Sequence, residues 1–372
     1  MVKVQRVRIP DSGEVTWLVL GNDYLPIQPI QEFLDYLRSV ERSPNTIRSY
    51  AYHLKLYWEY LGDSQKDWIH VKVSDLADFI TWLRSPHPGT ISIQQQEAKR
   101  TEATVNLIIT SVAMFYDYQE RLGAVENIPL YSSQMQPGRR YKSFLHHISK
   151  GRPVRTRLLK LKEPKRRIET LSKEEVSALI VACHKTRDKF LVALLYESGM
   201  RIGQALGLRH EDIRSWDNLI WIVPRDGNAN GARAKTRVTY SIHVSQELMG
   251  LYTNYLLDEF GECESDYVFV NLWDGAIGHP MQYGAIADLF RRLSKKTGIN
   301  AHPHILRHTH ATDLIRDGWD AAHVQKRLGH AQVQTVLNTY THLNDEDMKE
   351  AYKDYLGKKK DLSDGSSTDS MV

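Results

Sequence analysis

A chain of 372 residues with 41% apolar content is long enough to fill two domain cores and carry an extension besides. Its two cysteines, Cys183 and Cys263, stand far apart in no metal-ligand spacing, which argues against a disulfide framework and suits a reducing cytoplasm. The opening Met1-Val2-Lys3-Val4-Gln5-Arg6 has no apolar signal-peptide core, and no apolar run approaches the ~18 residues of a membrane span, so an intracellular protein with no membrane partner is expected.

Residues 1–24 alternate as Val4, Arg6 and Ile9, then Val15, Trp17 and Val19, around Asp11-Ser12-Gly13, the pattern of a β-hairpin extension. From Pro29 the periodicity turns helical, and residues 25–130 are expected to form a small helical domain. Ser43-Pro44 combines an N-cap with a proline at the first helical position. Ile47, Tyr50, Leu54, Tyr57 and Leu61 then recur at helical spacing, with Arg48 and Lys55 on the exposed side. Further helices are predicted over Val73–Leu83 and Thr101–Leu122. On these residues alone, a helical bundle with no ligand remains an open alternative.

Residues 131–170 carry the chain's charge. Between Gly138 and Arg167 twelve Lys or Arg face one acid, Glu163, a surplus of +11 within a total of +4, so the remainder is about −7. Arg139, Arg140, Lys142, Arg152, Arg155, Arg157, Lys165, Arg166 and Arg167 belong to this band. Such a concentration suits a segment that tracks phosphates; a solvated linker with incidental charge is the alternative. Pro153 and Pro164 punctuate it and apolar periodicity fades, so it reads as an extended interdomain connector.

A second domain is expected over 171–357. Ser172-Lys173-Glu174-Glu175 is a capping-box arrangement. Helices Glu174–His184 and Asp188–Ser198 follow, with Gly199 where a C-cap turn belongs. A strand is predicted over Leu219–Val223, then a Gly- and Asn-rich turn at Gly227–Gly231, then a returning strand over Thr236–Val244. Helices are expected to dominate from Gln246 onward, and the tail 358–372 to be disordered. The fold class is therefore mainly α with a small β-sheet.

Within this second half lie the pieces of one site: Arg201 after the Gly199 turn, Lys235, His304-Ile305-Leu306-Arg307, Leu328-Gly329-His330, and Tyr340 ten residues beyond His330. Two guanidiniums can hold a phosphate bidentately and a phenol can attack it. A turn-then-helix entry at Arg201 can aim backbone amides and a guanidinium at one anion. Pro303 is placed as an N1 proline, and His304 and Arg307, three apart, share one helix face near its positive end. Taken singly, Arg201 reads equally as a surface salt-bridge partner and Tyr340 as one core tyrosine among nineteen. Seven of the sixteen histidines fall between His302 and His342, and His304 and His308 have i, i+4 spacing. No glutamate stands between that pair and no cysteine is near, which disfavours a zinc site, so no metal is expected. There is no Walker-type loop and no carboxylate cluster of the two-metal kind, so no cofactor is expected.

These elements, in this order over roughly residues 170–345, resemble the tyrosine recombinase (phage integrase) family. Ser43-Pro44-Asn45-Thr46-Ile47-Arg48-Ser49-Tyr50 is similar to the core-binding, SAM-like domain that precedes the catalytic domain there, and the N-terminal half looks most like transposon-encoded recombinases of the transposase A kind. The resemblance implies site-specific cutting and rejoining of double-stranded DNA through a 3′-phosphotyrosine, for integration, excision or transposition. It implies Tyr340 as nucleophile, Arg201, Arg307 and His330 around the scissile phosphate, His304 at the tyrosine oxygen, and Lys235 as general acid to the departing 5′ oxygen. It implies a homo-tetramer on DNA, with Asp345–Leu356 docking on a neighbouring protomer or, alternatively, on its own domain; accessory recombination proteins are open as further partners. Gln204 departs from the family's acidic residue three positions after the arginine, for which altered tuning of Lys235 or His304 is expected. A type IB topoisomerase and a catalytically silent DNA-binding regulator are the rival readings.

Overall fold

The computed structural model describes residues 1–10, 13–85, 98–134, 154–164, 169–225, 227–236 and 238–329. The chain divides into two compact units, Met1–Lys165 and Arg166–Val372.

The first unit opens with an antiparallel hairpin of β1 (Lys3–Arg8) and β2 (Val15–Leu20), in register from Lys3 opposite Leu20 to Arg8 opposite Val15. Trp17 and Val19, two apart and so on one face of β2, are buried in the same core as α1 (Gln28–Ser39) and α2 (Pro44–Asp63). The Ser43 hydroxyl accepts from the Thr46 amide at 3.2 Å, fixing the start of α2 where Ser-Pro predicts it. Helices α3 (Val73–Arg84) and α4 (Glu102–Arg121) complete the bundle. Its centre is aromatic: Tyr57 and Tyr116 share a hydroxyl–hydroxyl hydrogen bond of 2.6 Å, and Tyr116 donates on to the Trp68 carbonyl at 2.9 Å. Burying two phenols is tolerable because each hydroxyl has a partner.

The basic stretch differs from the extended connector expected over 131–170. β3 (Tyr131–Gln134) pairs antiparallel with β4 (Val154–Arg157), and Leu159 and Leu161 then pack on the core of the first unit. Asn106 holds this return on both sides, donating to the Leu161 carbonyl and accepting from the Leu161 amide, each at 2.9 Å. Alternating leucines among lysines supply enough apolar surface to dock what charge alone would leave in solvent.

In the second unit, α5 (Lys173–Ala182) begins at a capping box in which Ser172 and Glu175 satisfy each other's amides. Helix α6 (Thr186–Ser198) is buried over nearly its whole circumference, including Phe190, Leu191, Val192, Leu194 and Leu195, as a central helix must be. It ends at Gly199 with φ 62°, and α7 (Ile202–Ala205) follows. A three-stranded antiparallel sheet is formed by β5 (Ile213–Arg214), β6 (Leu219–Ile222) and β7 (Tyr240–His243). β7 is shorter than the predicted 236–244, because Lys235 takes φ 54° and the Thr236 hydroxyl turns the chain by donating to the Val238 carbonyl at 3.0 Å.

Helix α8 (Gln246–Tyr255) runs on into one π-helical turn, Leu256–Phe260, before an irregular span. There Val268, Phe269 and Val270 are buried, and the Val268 amide donates to the Leu208 carbonyl at 3.1 Å. Gly261, Gly275 and Gly278, all at positive φ, interrupt the helical pattern. α9 (Tyr283–Thr297), α10 (Pro303–Arg316) and α11 (Ala321–Leu328) close the described fold. Among the described residues, no helix is long and apolar enough to cross a membrane.

Candidate active site

Three chain reversals meet in the second unit: the turn from α6 to α7, the start of β7, and the end of α11. Arg307, on α10 and only 3% exposed, ties two of them together. Its Nη1 donates to the Gly199 carbonyl at 2.6 Å and its Nη2 to the Leu328 carbonyl at 3.0 Å. The guanidinium's fork shape makes this double anchorage possible. Arg327 supplies a second tie, donating through Nε to His310 Nε2 at 3.1 Å and through Nη2 to the Glu197 carbonyl at 3.0 Å. His310 accepts that bond as a neutral ring, since burial first, then Arg327 and Arg307, push its pKa down to about 3.

Arg201 forms the N-cap of the four-residue α7. Its own amide is already bonded, at 2.7 Å, to Gln204 Oε1, so the expected presentation of that backbone amide to an anion does not occur. Gln204 is 3% exposed, and its other end donates from Nε2 to the Tyr240 hydroxyl at 3.0 Å.

The Gly227–Gly231 turn before Lys235 is anchored by its two asparagines. Asn230 is 5% exposed and donates to the Leu206 carbonyl at 3.0 Å and the Met281 carbonyl at 2.9 Å. Asn228 donates to the Ala232 carbonyl at 2.8 Å. Ala232 and Ala234 are buried while Lys235 is exposed. Gly203 packs directly under this segment: a Cβ there would collide with the Arg233 carbonyl oxygen. The lysine hairpin is thus seated on the helix that starts at Arg201.

His304 enters from α10, whose N-terminus is capped by the His302 ring accepting from the Ile305 amide at 3.2 Å, with Pro303 in the first turn as predicted. Partial burial, then the electrostatic influence of Arg307, His302, Arg201 and Lys235, holds the His304 imidazole below the ordinary histidine pKa. Arg201, Lys235, His304 and Arg307, drawn from three stretches of sequence, therefore act on one locus. His330 follows directly on Gly329 but, with Tyr340, lies outside the described residues, as do Asp345–Leu356 and the tail.

Of the residues expected to meet DNA, Arg48 is exposed and lies over the Tyr52 ring at 5.8 Å. Arg157 instead donates to the Thr110 hydroxyl, a contact within the first unit. Arg155 lies on β4, and Arg139, Arg140, Lys142, Arg152, Lys165, Arg166 and Arg167 lie outside the described residues. The residues not singled out by the sequence are Tyr240, His310 and Arg327. No motif marks them, since each acts through a contact with a residue distant in the chain.

The phage integrase family model matches residues 169–347, and the phage integrase N-terminal SAM-like domain matches residues 30–123. Transposase A from transposon Tn554 of Staphylococcus aureus is 48% identical over 360 residues, covering 96% of this chain and 99% of that protein. A tyrosine recombinase XerA of Pyrococcus horikoshii is 25% identical and covers 87% of this chain and 91% of that protein. Among solved structures, the Tn1549 transposon integrase in complex with a circular intermediate DNA shares the fold, with a TM-score of 0.62 at 16% identity, over 87% of this chain and 98% of that one. The chain belongs to the phage integrase family of tyrosine recombinases, and it is a DNA-binding, site-specific recombinase that cuts and rejoins DNA strands.

Proposed function

We propose that this recombinase moves a transposon, and that Tyr340 is its nucleophile. The observation that carries the site assignment is the convergence of Arg201, Lys235, His304 and Arg307, whose charges all bear on the His304 ring. The similarity to transposase A of Tn554 over nearly the whole of both chains supports transposition as the task.

An unperturbed phenol has a pKa of about 10 and needs a base. His304, held below its ordinary pKa, is a neutral acceptor at neutral pH and takes the Tyr340 proton. The phenolate oxygen attacks the scissile phosphorus and the bond from phosphorus to the 5′ oxygen breaks. Lys235 gives that oxygen its proton. The products are a 3′-phosphotyrosine and a free 5′ hydroxyl, and the reverse sequence rejoins a strand without ATP. Arg201, Arg307 and His330 face the non-bridging oxygens, where charge gathers in the transition state. The first unit, with Arg48, and the basic residues of the 131–170 band hold the duplex backbone. Four protomers act on two duplexes in the bacterial cytoplasm, each cutting one strand, with Asp345–Leu356 linking neighbours and accessory proteins joining where the element requires them.

The test begins with junction sequencing from a plasmid library exposed to the protein, which recovers the site. A nicked, labelled duplex carrying that site then traps the covalent intermediate. A shifted protein–DNA band lost in Tyr340→Phe, and insensitive to EDTA and to omission of ATP, is expected. A band that persists in Tyr340→Phe removes Tyr340 from the role. Efficient relaxation of supercoiled plasmid lacking the site would favour topoisomerase action instead.

A further inference from the structure

Tyr240, the first residue of β7, has no part in the chemistry above, yet it touches two of the three reversals that build the site. Its hydroxyl accepts from Gln204 Nε2 at 3.0 Å. The orientation of that amide is fixed from the other end: the Arg201 amide can only donate, so the atom 2.7 Å from it is Oε1 and the nitrogen must face Tyr240. The Tyr240 ring meanwhile lies against Gly329. A Cβ on Gly329 would fall 2.6 Å from the Tyr240 hydroxyl oxygen, 2.7 Å from Cζ and 2.9 Å from Cε1. Gly329 is also left-handed, at φ 62°, so it is required twice over. The phenol therefore fills the space a side chain would take at the residue before His330, while its polar end grips the residue that caps the Arg201 turn.

An ordinary core tyrosine would bury its ring among apolar side chains and send its hydroxyl to whatever backbone lay nearest. The Tyr240 ring packs partly against the core, but it also lies on the bare Gly329 backbone, and its hydroxyl is bonded to a side chain, Gln204. Burial raises its pKa, opposed by the Gln204 bond and by the charges of Arg307 and Arg201, so it stands protonated and neutral within reach of both cations.

We infer that Tyr240 is a positioning residue that sets the separation between the Arg201 turn and the Gly329 turn, and so holds the end of α11 relative to the two arginines. The Gln204 bond holds its hydroxyl on one side and the bare Gly329 backbone receives its ring on the other. This rests on the site assignment proposed above, in which His330 faces the phosphate.

The experiment is a double-mutant cycle on the full chain, read on the nicked duplex carrying the recovered site. Tyr240→Phe keeps the ring and removes the hydroxyl. It is expected to lower the melting midpoint, because the buried Gln204 amide loses its acceptor, to leave duplex Kd within about twofold of wild type, and to slow single-turnover adduct formation about tenfold, the loss of one modest hydrogen bond converted to rate. Gly329→Ala is expected to slow adduct formation by more than about 100-fold, as misplacement of one transition-state donor does. Adding Tyr240→Ala to Gly329→Ala removes the collision and should recover at least about tenfold, leaving only the left-handed backbone strain of alanine. If the two substitutions multiply independently, or if Tyr240→Phe reacts at the wild-type rate, the positioning role is wrong. Should Gly329→Ala fold poorly, the same non-additivity is read from melting midpoints, where additive shifts overturn the contact. Failure of the wild-type chain to form any adduct would instead overturn the Tyr340 assignment, leaving the melting cycle to judge Tyr240 alone.

Discussion

The Arg307 guanidinium donates to the carbonyl of Gly199, 108 residues away in sequence, at 2.6 Å, and with its other terminal nitrogen it reaches the Leu328 carbonyl. A residue expected to bind a phosphate is thus also the brace between the turn that leads to Arg201 and the turn that leads to His330. The two roles are compatible in one planar group, which has five N–H donors. They also mean that this arginine cannot be altered without moving its neighbours.

Arg307→Lys is therefore expected to fail on both counts. An ammonium on a single stem cannot span both carbonyls, and leaving one buried carbonyl unsatisfied costs about 1–3 kcal/mol. Denaturant melting should show that loss, and adduct formation on the nicked duplex should fall by more than about 100-fold. A lysine variant with the wild-type midpoint would show that the brace is dispensable.

Gln204→Glu tests the departure from the family pattern. The carboxylate keeps an acceptor for the Arg201 amide but has no hydrogen for Tyr240, so the phenol must turn from acceptor to donor. Because that reversal costs only a hydroxyl rotation, single-turnover cleavage is expected to stay within about tenfold of wild type. A rise beyond tenfold would mean that glutamine impairs the natural site. Gln204→Glu combined with Tyr240→Phe should be worse than the two single effects together, because a buried carboxylate oxygen then has no donor.

What was legible in the sequence follows from range. Ser43-Pro44, the Ser172–Glu175 box and the Gly199 turn act within four residues, and each is where local chemistry places it. The pairing of Tyr131–Gln134 with Val154–Arg157 was not legible, because its partners are distant and its short strand hides among cations. The Gly227–Gly231 turn was legible as a turn, but its anchorage was not, because Asn230 is bonded to two carbonyls from elsewhere in the fold. Tyr240 carried no signal among nineteen tyrosines, since its meaning lies in Gly329, 89 residues on.

Asn230→Asp should expose that anchorage. The carboxylate loses both donated bonds and faces the carbonyls of Leu206 and Met281 with like polarity, at a cost of about 3 kcal/mol in a buried setting. With the lysine hairpin loosened, cleavage should fall further than DNA binding. Equal losses in Kd and rate would indicate general unfolding instead.

Two histidines, half-buried His53 and buried His310, set an acid limb to stability. His53 in the first unit is pushed down to about 4 and His310 in the second to about 3, both chiefly by burial. The unfolded chain titrates near 6.5, so it binds protons that the folded chain refuses. Stability is therefore complete above about pH 6.5 and falls as pH drops, by at most about 1.4 kcal/mol per unit for each ring, until the folded values are reached. Melting followed from pH 7.5 to 4.5 should show this slope, and His53→Gln should flatten it for the first unit. A midpoint constant over that range would contradict the burial of both rings.

The lysine hairpin and His304 are coupled by charge, and the coupling can be read without any DNA. Lys235 is one of the groups that hold the His304 imidazole below its ordinary value, acting after burial, Arg307, His302 and Arg201. Replacing Lys235 with methionine keeps the apolar stem and removes the charge, so His304 should titrate at higher pH, followed through its ring proton resonances in the free protein. Raising salt should shift the wild-type value the same way and the Lys235→Met value less, because an exposed ammonium is the screened partner. Cleavage by the wild type should correspondingly hold its rate to lower pH than an unperturbed histidine base would allow, since the neutral ring persists there. An unmoved His304 titration in Lys235→Met would place the lysine too far from the ring for the two to serve one phosphate.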